Sequence, residues 1–199
     1  MRNVFAFALA AAGLALMAGS IALFGVRAPA HPAPVAPRWS QASWSEARWP
    51  FLLDQWGIGK AFVCLPADCG VRLNVYVRPK IGFCNCATGV SDDTELERVA
   101  DTDLVSPNPQ PLGPGRLVQV GWMKGLSRSY RVSDGETTEA LLSVAYNNAC
   151  DVIVAVATLG DRDQAAPPAL IAPAAVETAV LAFLNSAPML RWARKELGL

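Results

Sequence analysis

The most regular pattern in the chain is a series of short segments in which apolar and polar residues alternate, with many β-branched side chains. Alternation of this kind over about four to eight residues is typical of strands that bury one face. The segments lie at 58–64, 71–77, 81–87, 116–123, 129–132, 140–146 and 152–159. The links between them are short and rich in turn residues, such as Arg78-Pro79-Lys80, which favours antiparallel pairing. Segment 140–146 is ambiguous, because the letters TEALL at 138–142 also suit a helix.

One helix is predicted among the strands. Asp92 and Glu95 fit a capping box, in which Asp92 accepts from first-turn amides and Glu95 reaches back toward the helix start. The helix would run to about Ala100, with Leu96 and Val99 turned inward.

Two further helices are predicted at the C-terminus. The first follows Pro173 and covers 174–184, and the second starts near Ser186 and stops at Gly198. Both are amphipathic, and a sheet needs a cover for its apolar face. The predicted fold is therefore α+β, an antiparallel sheet covered by C-terminal amphipathic helices.

An apolar stretch without charged residues occupies positions 3–26. It is long enough to span a hydrocarbon core, which takes about 20 helical residues. A secretory signal has a shorter apolar region before a small-residue cleavage site, and Ala28-Pro29-Ala30 fits such a site. Length favours a retained anchor, and both interpretations export the C-terminal part. Residues 1–27 are therefore assigned to an apolar membrane anchor or signal helix.

The rest of the chain divides into a spacer and one domain. Residues 28–48 form a Pro-rich spacer and a Trp-containing entry segment, in which the prolines favour an extended polyproline II conformation. Residues 49–199 are enough for one disulfide-stapled α+β domain with its own core. We expect this domain at the periplasmic side of the bacterial inner membrane, either anchored or released after signal cleavage.

The charged residues limit the possible functions. Basic and acidic side chains balance at 17 each, so no basic excess attracts nucleic acid. The only histidine is His31, in the spacer, which leaves the domain without Ser-His-Asp catalysis, Cys-His catalysis or an imidazole metal site. No cofactor is expected, an enzyme is disfavoured, and the expected partners are the membrane, through the N-terminal helix, and a protein.

The five cysteines are the sharpest chemical feature, at Cys64, Cys69, Cys84, Cys86 and Cys150. In an exported domain several cysteines indicate disulfides. Cys64 and Cys69 flank a turn-like loop that can close a small ring, and one of Cys84 and Cys86 is expected to meet Cys150. The odd number leaves one thiol free or paired between chains. The alternative is a redox or copper role for Cys84 and Cys86, whose side chains would share one face of a strand.

Two further groups of residues are candidate binding sites. Trp39, Trp44 and Trp49 are five apart, which fits neither helical nor strand periodicity. They either cap the core where the chain enters the domain or form a strip that binds a partner.

The second group consists of basic residues on neighbouring strands. Arg72, Arg78 and Lys80 would bind an anion, or they protect a sheet edge against aggregation.

Four pieces of sequence carry a resemblance. KAFVCLPADCG, RPKIGFCNCATGV, WMKG and the ending FLNSAPMLRWARKELGL resemble a set of small exported bacterial proteins of unassigned function. The likeness covers most of 49–199 and carries no catalytic residues. The leading hypothesis is a non-catalytic, exported, membrane-tethered binding or accessory module, and the alternative is a thiol-based redox or copper-handling protein that uses Cys84 and Cys86.

Overall fold

The computed structural model describes residues 42–133, 138–160 and 173–199. The predicted anchor or signal helix and the Pro-rich spacer lie outside the described residues, and so does Trp39.

The strands of the described residues form one antiparallel sheet. Its eight strands are β1 (Trp44–Ala47), β2 (Lys60–Cys64), β3 (Leu73–Lys80), β4 (Gln110–Pro111), β5 (Arg116–Val120), β6 (Met123–Ser133), β7 (Thr138–Asn148) and β8 (Asp151–Leu159). Their order across the sheet is β1-β2-β3-β8-β7-β6-β4, with β5 also paired to β6. The predicted antiparallel sheet is therefore confirmed, and the segment at 140–146 is a strand and not a helix.

Within the part of the chain that the structure describes, four α-helices accompany the sheet. They are α1 (Pro66–Cys69), α2 (Asp93–Val99), α3 (Pro173–Leu184) and α4 (Ala187–Glu196), and a 3-10 turn covers Thr102–Leu104. As predicted, the Asp92 side chain caps α2 by accepting from the amide of Glu95 at 2.8 Å. Glu95 itself bonds the amide of Asn85 and the side chain of Arg98, so the return half of the capping box does not form.

The main core lies between one face of the sheet and the C-terminal helices. Val75 of β3, Val144 of β7 and Ala155 of β8 are buried there against Val180 and Leu184 of α3. The prediction that the C-terminal helices cover the sheet is confirmed.

The opposite face of the sheet is covered as well. Leu96 and Val99 of α2 pack with Val152 and Val154 of β8 in a second buried cluster. Because β8 lies near the middle of the sheet with a cover on each side, every residue from 152 to 159 is buried. A continuous apolar run is what a strand buried on both faces requires.

One predicted strand and one predicted turn are wrong. Residues 81–87 form turns, so the two strands inferred at 71–77 and 81–87 are not a hairpin. Arg78, Pro79 and Lys80 belong to β3 itself. The first residue of β2, Lys60, lies opposite Val77, so beyond Val77 β3 pairs with β8 and no longer with β2. Proline is tolerated there because one side of the strand is not hydrogen-bonded to a neighbouring strand.

The strands after the proline-rich loop are longer than the sequence indicates. The predicted segments 116–123 and 129–132 are replaced by β5 and by the 11-residue strand β6, joined by a tight turn at Gly121 and Trp122. Gly125 permits β6 to approach β7 closely, since a Cβ at this position would overlap the carbonyl oxygen of Ala145.

The sheet begins inside the predicted entry segment. β1 pairs with β2 from Trp44↔Cys64 to Ala47↔Ala61. The Trp44 ring stacks on Phe183 of α3 with 4.4 Å between centroids, so this part of the entry segment belongs to the folded domain.

Taken singly, none of the described helices has the length and apolar character of a membrane span. Together α3 and α4 do, but a sharp bend of 66° separates them, and both contribute buried residues to the core.

Candidate functional site

A polar cavity of about 550 Å³ lies at the end of β3, on the face of the sheet that α2 covers. Its size is within the usual range for small-molecule sites, roughly 300–1,000 Å³. The walls come from the chain before β2, from β3 and the turn after it, and from α2 with the 3-10 turn. The lining residues are Asp54, Gln55, Trp56, Arg78, Lys80, Phe83, Glu97, Arg98, Ala100, Asp101, Thr102 and Asp103.

Two buried cations share one buried carboxylate in the wall of this cavity. Arg78 is 2% exposed and donates from Nε and Nη2 to the two oxygens of Asp101, at 2.6 and 2.8 Å. Lys80, two residues along the same face of β3, lies 2.7 Å from Asp101 and donates to the carbonyl of Val99 at 2.7 Å. Burial by itself lowers the pKa of Arg78, but the hydrogen bonds to Asp101 and Asp54 outweigh it and raise that pKa.

A second carboxylate reaches the same guanidinium from the cavity mouth. Asp54 accepts from Nη1 of Arg78 at 2.7 Å, although its own side chain is 37% exposed. The hydrogen bond from Arg78 is the main cause that lowers the pKa of Asp54, so this carboxyl is ionised at neutral pH. Arg78 also donates to the carbonyl of Gly57 at 3.2 Å, and Gly57 has a positive φ of 77°.

Aromatic rings form the apolar part of the cavity wall. Trp56 packs on Phe83 with 4.3 Å between ring centroids. The Lys80 ammonium lies 5.5 Å from the Trp56 ring and 5.4 Å from the Phe83 ring, within cation–π range. The guanidinium carbon of Arg98 lies 4.7 Å from the centroid of the Phe83 ring. The site therefore combines fixed charges with ring surfaces.

Large aliphatic side chains are exposed beside the cavity. Leu52, Leu53 and Ile58 flank the Asp54 turn and are 90%, 71% and 68% exposed, and Ile81 follows β3 at 55% exposed. These four residues, here called the apolar rim, lie within two positions in sequence of the cavity-lining residues Asp54, Trp56 and Lys80. Large exposed aliphatic side chains mark an interaction surface where they form one contiguous patch.

The predicted basic group does not come together as one site. Arg78 and Lys80 line the cavity, whereas Arg72 precedes β3. Arg72 and Arg78 are six steps apart along the extended chain, so their Cα atoms are roughly 20 Å apart at the usual rise per residue. The two cavity cations also engage acidic partners within the chain, which sequence reasoning did not assign to them.

Trp44 and Trp49, the two described members of the predicted tryptophan group, lie on opposite faces of the sheet. Trp44 packs on α3, while Trp49 makes edge contacts with Phe51 and Tyr76 on the opposite face. Trp49 also lies 5.8 Å from the Arg78 guanidinium. Both rings pack onto the domain, which is the arrangement that the core-capping hypothesis expects.

The disulfides predicted for an exported domain are present. Cys64 bonds Cys69, and Cys86 bonds Cys150 across 64 residues of chain. Cys84 is buried as a free thiol and donates to the carbonyl of Ala149 at 3.2 Å.

The remaining thiol lies in an unreactive environment. Burial raises the pKa of Cys84, and the negative charges of Glu95 and Asp151 raise it further. Cys84 and Cys86 lie in turns and not on a strand, and Cys86 is bonded to Cys150, so the two are not a pair of free thiols in this structure.

The acidic residues around α2 have structural partners. Glu97 bonds Arg128 at 2.5 Å, and Asp93 accepts from the amide of Gly115 at 2.8 Å. Among the described residues, no cluster of three or more histidine, cysteine or acidic side chains is arranged to hold a metal ion.

A second cavity, of about 360 Å³, lies between β6 and the start of α3. Its wall holds the buried carboxylate of Glu177, which accepts from the hydroxyl of Ser127 and pairs with Arg116. Pro173 and Ala174 at the start of α3 also line this cavity. The first cavity is the better candidate because it combines two buried cations with the rings of Trp56 and Phe83.

Sequence reasoning missed the acidic half of the candidate site. Arg78 and Lys80 were identified, but Asp54 and Asp101 were not assigned to them. A signal was present, because two cations two residues apart share one face of a strand whose other face is apolar. Such a pair has to find an acidic partner if a layer covers it.

Comparisons with known proteins add little to this geometry. No family model matches the chain. No curated protein matches it. Among solved structures it matches LpqN, which is involved in cell envelope biogenesis of Mycobacterium tuberculosis, with 12% identity and a TM-score of 0.32. The match covers 61% of this chain and 74% of LpqN. Similarity at this level does not establish a shared fold, and no property of LpqN is transferred.

Proposed function

We propose that the domain is a non-catalytic binding module, exported and tethered at the outer face of the bacterial inner membrane. Its partner is an envelope protein that docks on the apolar rim around the cavity. The observation that carries this proposal is the exposure of Leu52, Leu53, Ile58 and Ile81, which lie next to or within two residues of side chains that line one polar cavity. A protein docking there would remove these aliphatic side chains from water, which is the main favourable term in most protein association.

The composition of the site supports recognition over chemistry. Arg78, Lys80 and Asp101 hold one another in fixed geometry and provide no free nucleophile beside a base. Tryptophan and arginine are among the residue types that dominate binding energy at protein interfaces, where surrounding contacts exclude water from them. Trp56 and Arg98 line the cavity next to the rim.

Export is supported by the cysteines and by the N-terminal sequence. Two disulfides suit an oxidising compartment. The apolar run at 3–26 supplies an anchor or a signal. The resemblance to small exported bacterial proteins agrees with this location.

Site-specific photocrosslinking in bacterial membranes tests the proposal. The full-length chain would carry p-benzoylphenylalanine in place of Leu53, in the rim, or in place of Leu117, which is 82% exposed on β5 and lies outside the cavity. We expect one discrete protein adduct from position 53 and none of that mass from position 117. Free monomer alone from position 53, the same adduct from both positions, or adducts with lipid alone would contradict a specific protein partner.

The thiol-based alternative gains no support from the site geometry. It needs two thiolates on one face, and in this structure Cys86 is crosslinked to Cys150 while Cys84 is buried. Mass-spectrometric mapping of the exported protein under alkylating conditions decides this point, because two reactive thiols at these positions would revive the alternative.

A further inference from the structure

We propose that the cavity binds a small carboxylate-bearing ligand and that the Asp54 side chain occupies the place of the ligand's carboxylate when the ligand is absent. This inference goes beyond the proposed function, because it concerns a small molecule and requires no protein partner. It gives the Asp54 turn, which Leu52, Leu53 and Ile58 flank, two states, one closed on Arg78 and one opened by the ligand.

The first argument is the balance of charge inside the cavity wall. Arg78 and Lys80 are buried, at 2% and 4% exposed, and the one carboxylate buried with them is Asp101, also at 4%. The two cations and one anion leave one positive charge without a buried counterion. A buried charge is costly unless it is paired. Asp54, at the cavity mouth, supplies the missing negative charge through Nη1 of Arg78.

The second argument is that Asp54 is held less firmly than Asp101. Between Ala47 and Lys60 the chain forms neither helix nor strand. The turn at Asp54 is closed by its own local bonds, from the amide of Gly57 to the Asp54 carbonyl at 3.0 Å and from the amide of Trp56 to the Asp54 carboxylate at 2.8 Å. Beyond Asp54, the contacts that hold this turn include the bond from Arg78 to the Gly57 carbonyl and the packing of Trp56 on Phe83. Leu52 and Leu53 add little packing because both are largely exposed, so opening the turn breaks few contacts.

The third argument concerns the class of anion. A carboxylate matches the planar guanidinium of Arg78, from which Asp54 already accepts as a carboxylate. Asp103 lines the cavity as an exposed acid and repels a ligand with several negative charges, whereas the charge of Glu97 is paired with Arg128. The rings of Trp56 and Phe83 offer apolar contact to the rest of the molecule. The geometry therefore suits a monocarboxylate with an apolar body better than phosphate or a dicarboxylate.

Binding of hexanoate and of its neutral analogue hexanamide to the full-length protein tests the inference. Isothermal titration would measure affinity, and tryptophan fluorescence would report on Trp56 in the cavity wall. We expect saturable binding of hexanoate and much weaker binding of hexanamide, succinate and inorganic phosphate, because only the first carries a single carboxylate on an apolar chain.

The variant Asp54→Ala tests whether the Asp54 carboxylate competes with the ligand for Arg78 or instead helps to bind the ligand. Removal of the internal competitor leaves the site open, and hexanoate affinity should rise about five- to tenfold, since apparent affinity scales with the open fraction. The same variant should melt at a lower temperature than the wild type, and hexanoate, but not hexanamide, should restore that loss. The control Asp68→Ala removes an exposed acid on α1 and should change neither measurement.

Several results would overturn the inference. They are equal binding of hexanoate and hexanamide, unchanged or weaker hexanoate binding by Asp54→Ala, and the same gain in Asp68→Ala. Since the photocrosslinking experiment does not use the carboxylate, a retained adduct from position 53 with any of these results would reject the carboxylate site alone. Loss of the adduct with intact hexanoate binding would reject the protein partner alone.

Discussion

Asp101 is the residue whose loss should test the charged cluster most severely. Asp101→Asn keeps the size of the side chain but removes the one negative charge buried with Arg78 and Lys80. The structure gives Asp101 two hydrogen bonds from Arg78, at 2.6 and 2.8 Å, and an ion pair with Lys80 at 2.7 Å, all among groups at most 4% exposed. Removal of one partner from a buried ion pair costs about 3–5 kcal/mol.

That loss is large compared with the stability of an ordinary domain, roughly 5–15 kcal/mol. For a domain of this size, at about 2–4 °C per kcal/mol, it corresponds to a fall in melting temperature of roughly 6–20 °C. Urea denaturation followed by tryptophan fluorescence and by circular dichroism would measure the free energy of unfolding, with coincident transitions as the check for two-state behaviour.

The matched control is an ion pair at the surface. Glu46→Gln removes the partner of Lys60, which lies 2.6 Å away in a pair that is 34% and 59% exposed. Exposed pairs contribute at most about 1 kcal/mol because water and salt screen them. If Asp101→Asn costs no more than Glu46→Gln, the reasoning about burial is refuted.

A compensated variant separates charge from packing. The triple change Arg78→Met, Lys80→Met and Asp101→Leu removes the whole cluster without leaving a buried charge. Replacement of a complete buried network by apolar side chains is often neutral or stabilising. We therefore expect the triple variant to be more stable than Asp101→Asn, and the reverse order would show that shape and not charge dominates.

Three further outcomes follow from the fold. Replacement of Cys86 and Cys150 by serine should cost about 4 kcal/mol in urea denaturation, against about 2 kcal/mol for the short disulfide after β2, because the longer loop restricts the unfolded chain more. Gly125→Ala should cost at least about 2 kcal/mol through overlap between β6 and β7, whereas Gly113→Ala, with open space at its Cβ, should be near neutral. Cys84 should react with iodoacetamide more than about tenfold slower in the native protein than in urea, because it is buried and its pKa is raised, and equal rates would contradict that burial.

Local patterns were sufficient for the elements whose neighbours in sequence dictate their structure. The Asp92 cap predicted α2, and Pro173 with the amphipathic pattern predicted the C-terminal helices. The strand at 152–159 followed from a run rich in β-branched residues. Those signals are local, because capping and hydrophobic periodicity depend on residues within a few positions of one another.

The elements that were predicted wrongly depend on distant parts of the chain. The segment at 81–87 alternates like a strand, but the carbonyl of Cys150 and the side chain of Asp151 hold it as turns. The proline at position 79 suggested a turn, yet the end of β2 leaves an unpaired side of β3 where a proline is tolerated. Neither condition can be read from the local sequence.

The sequence by itself determined the fold class and the supply of cysteines for disulfides, because periodicity and composition are properties of the chain alone. It also placed Arg78 and Lys80 two residues apart, and because β3 continues through them in the structure, both share one face of that strand. Only the tertiary structure decided that Asp101 arrives from beyond α2 and Asp54 from before β2 to form one cavity around them. A buried charge selects its partner by distance in space, and that distance is set by how the sheet, α2 and the entry segment pack together.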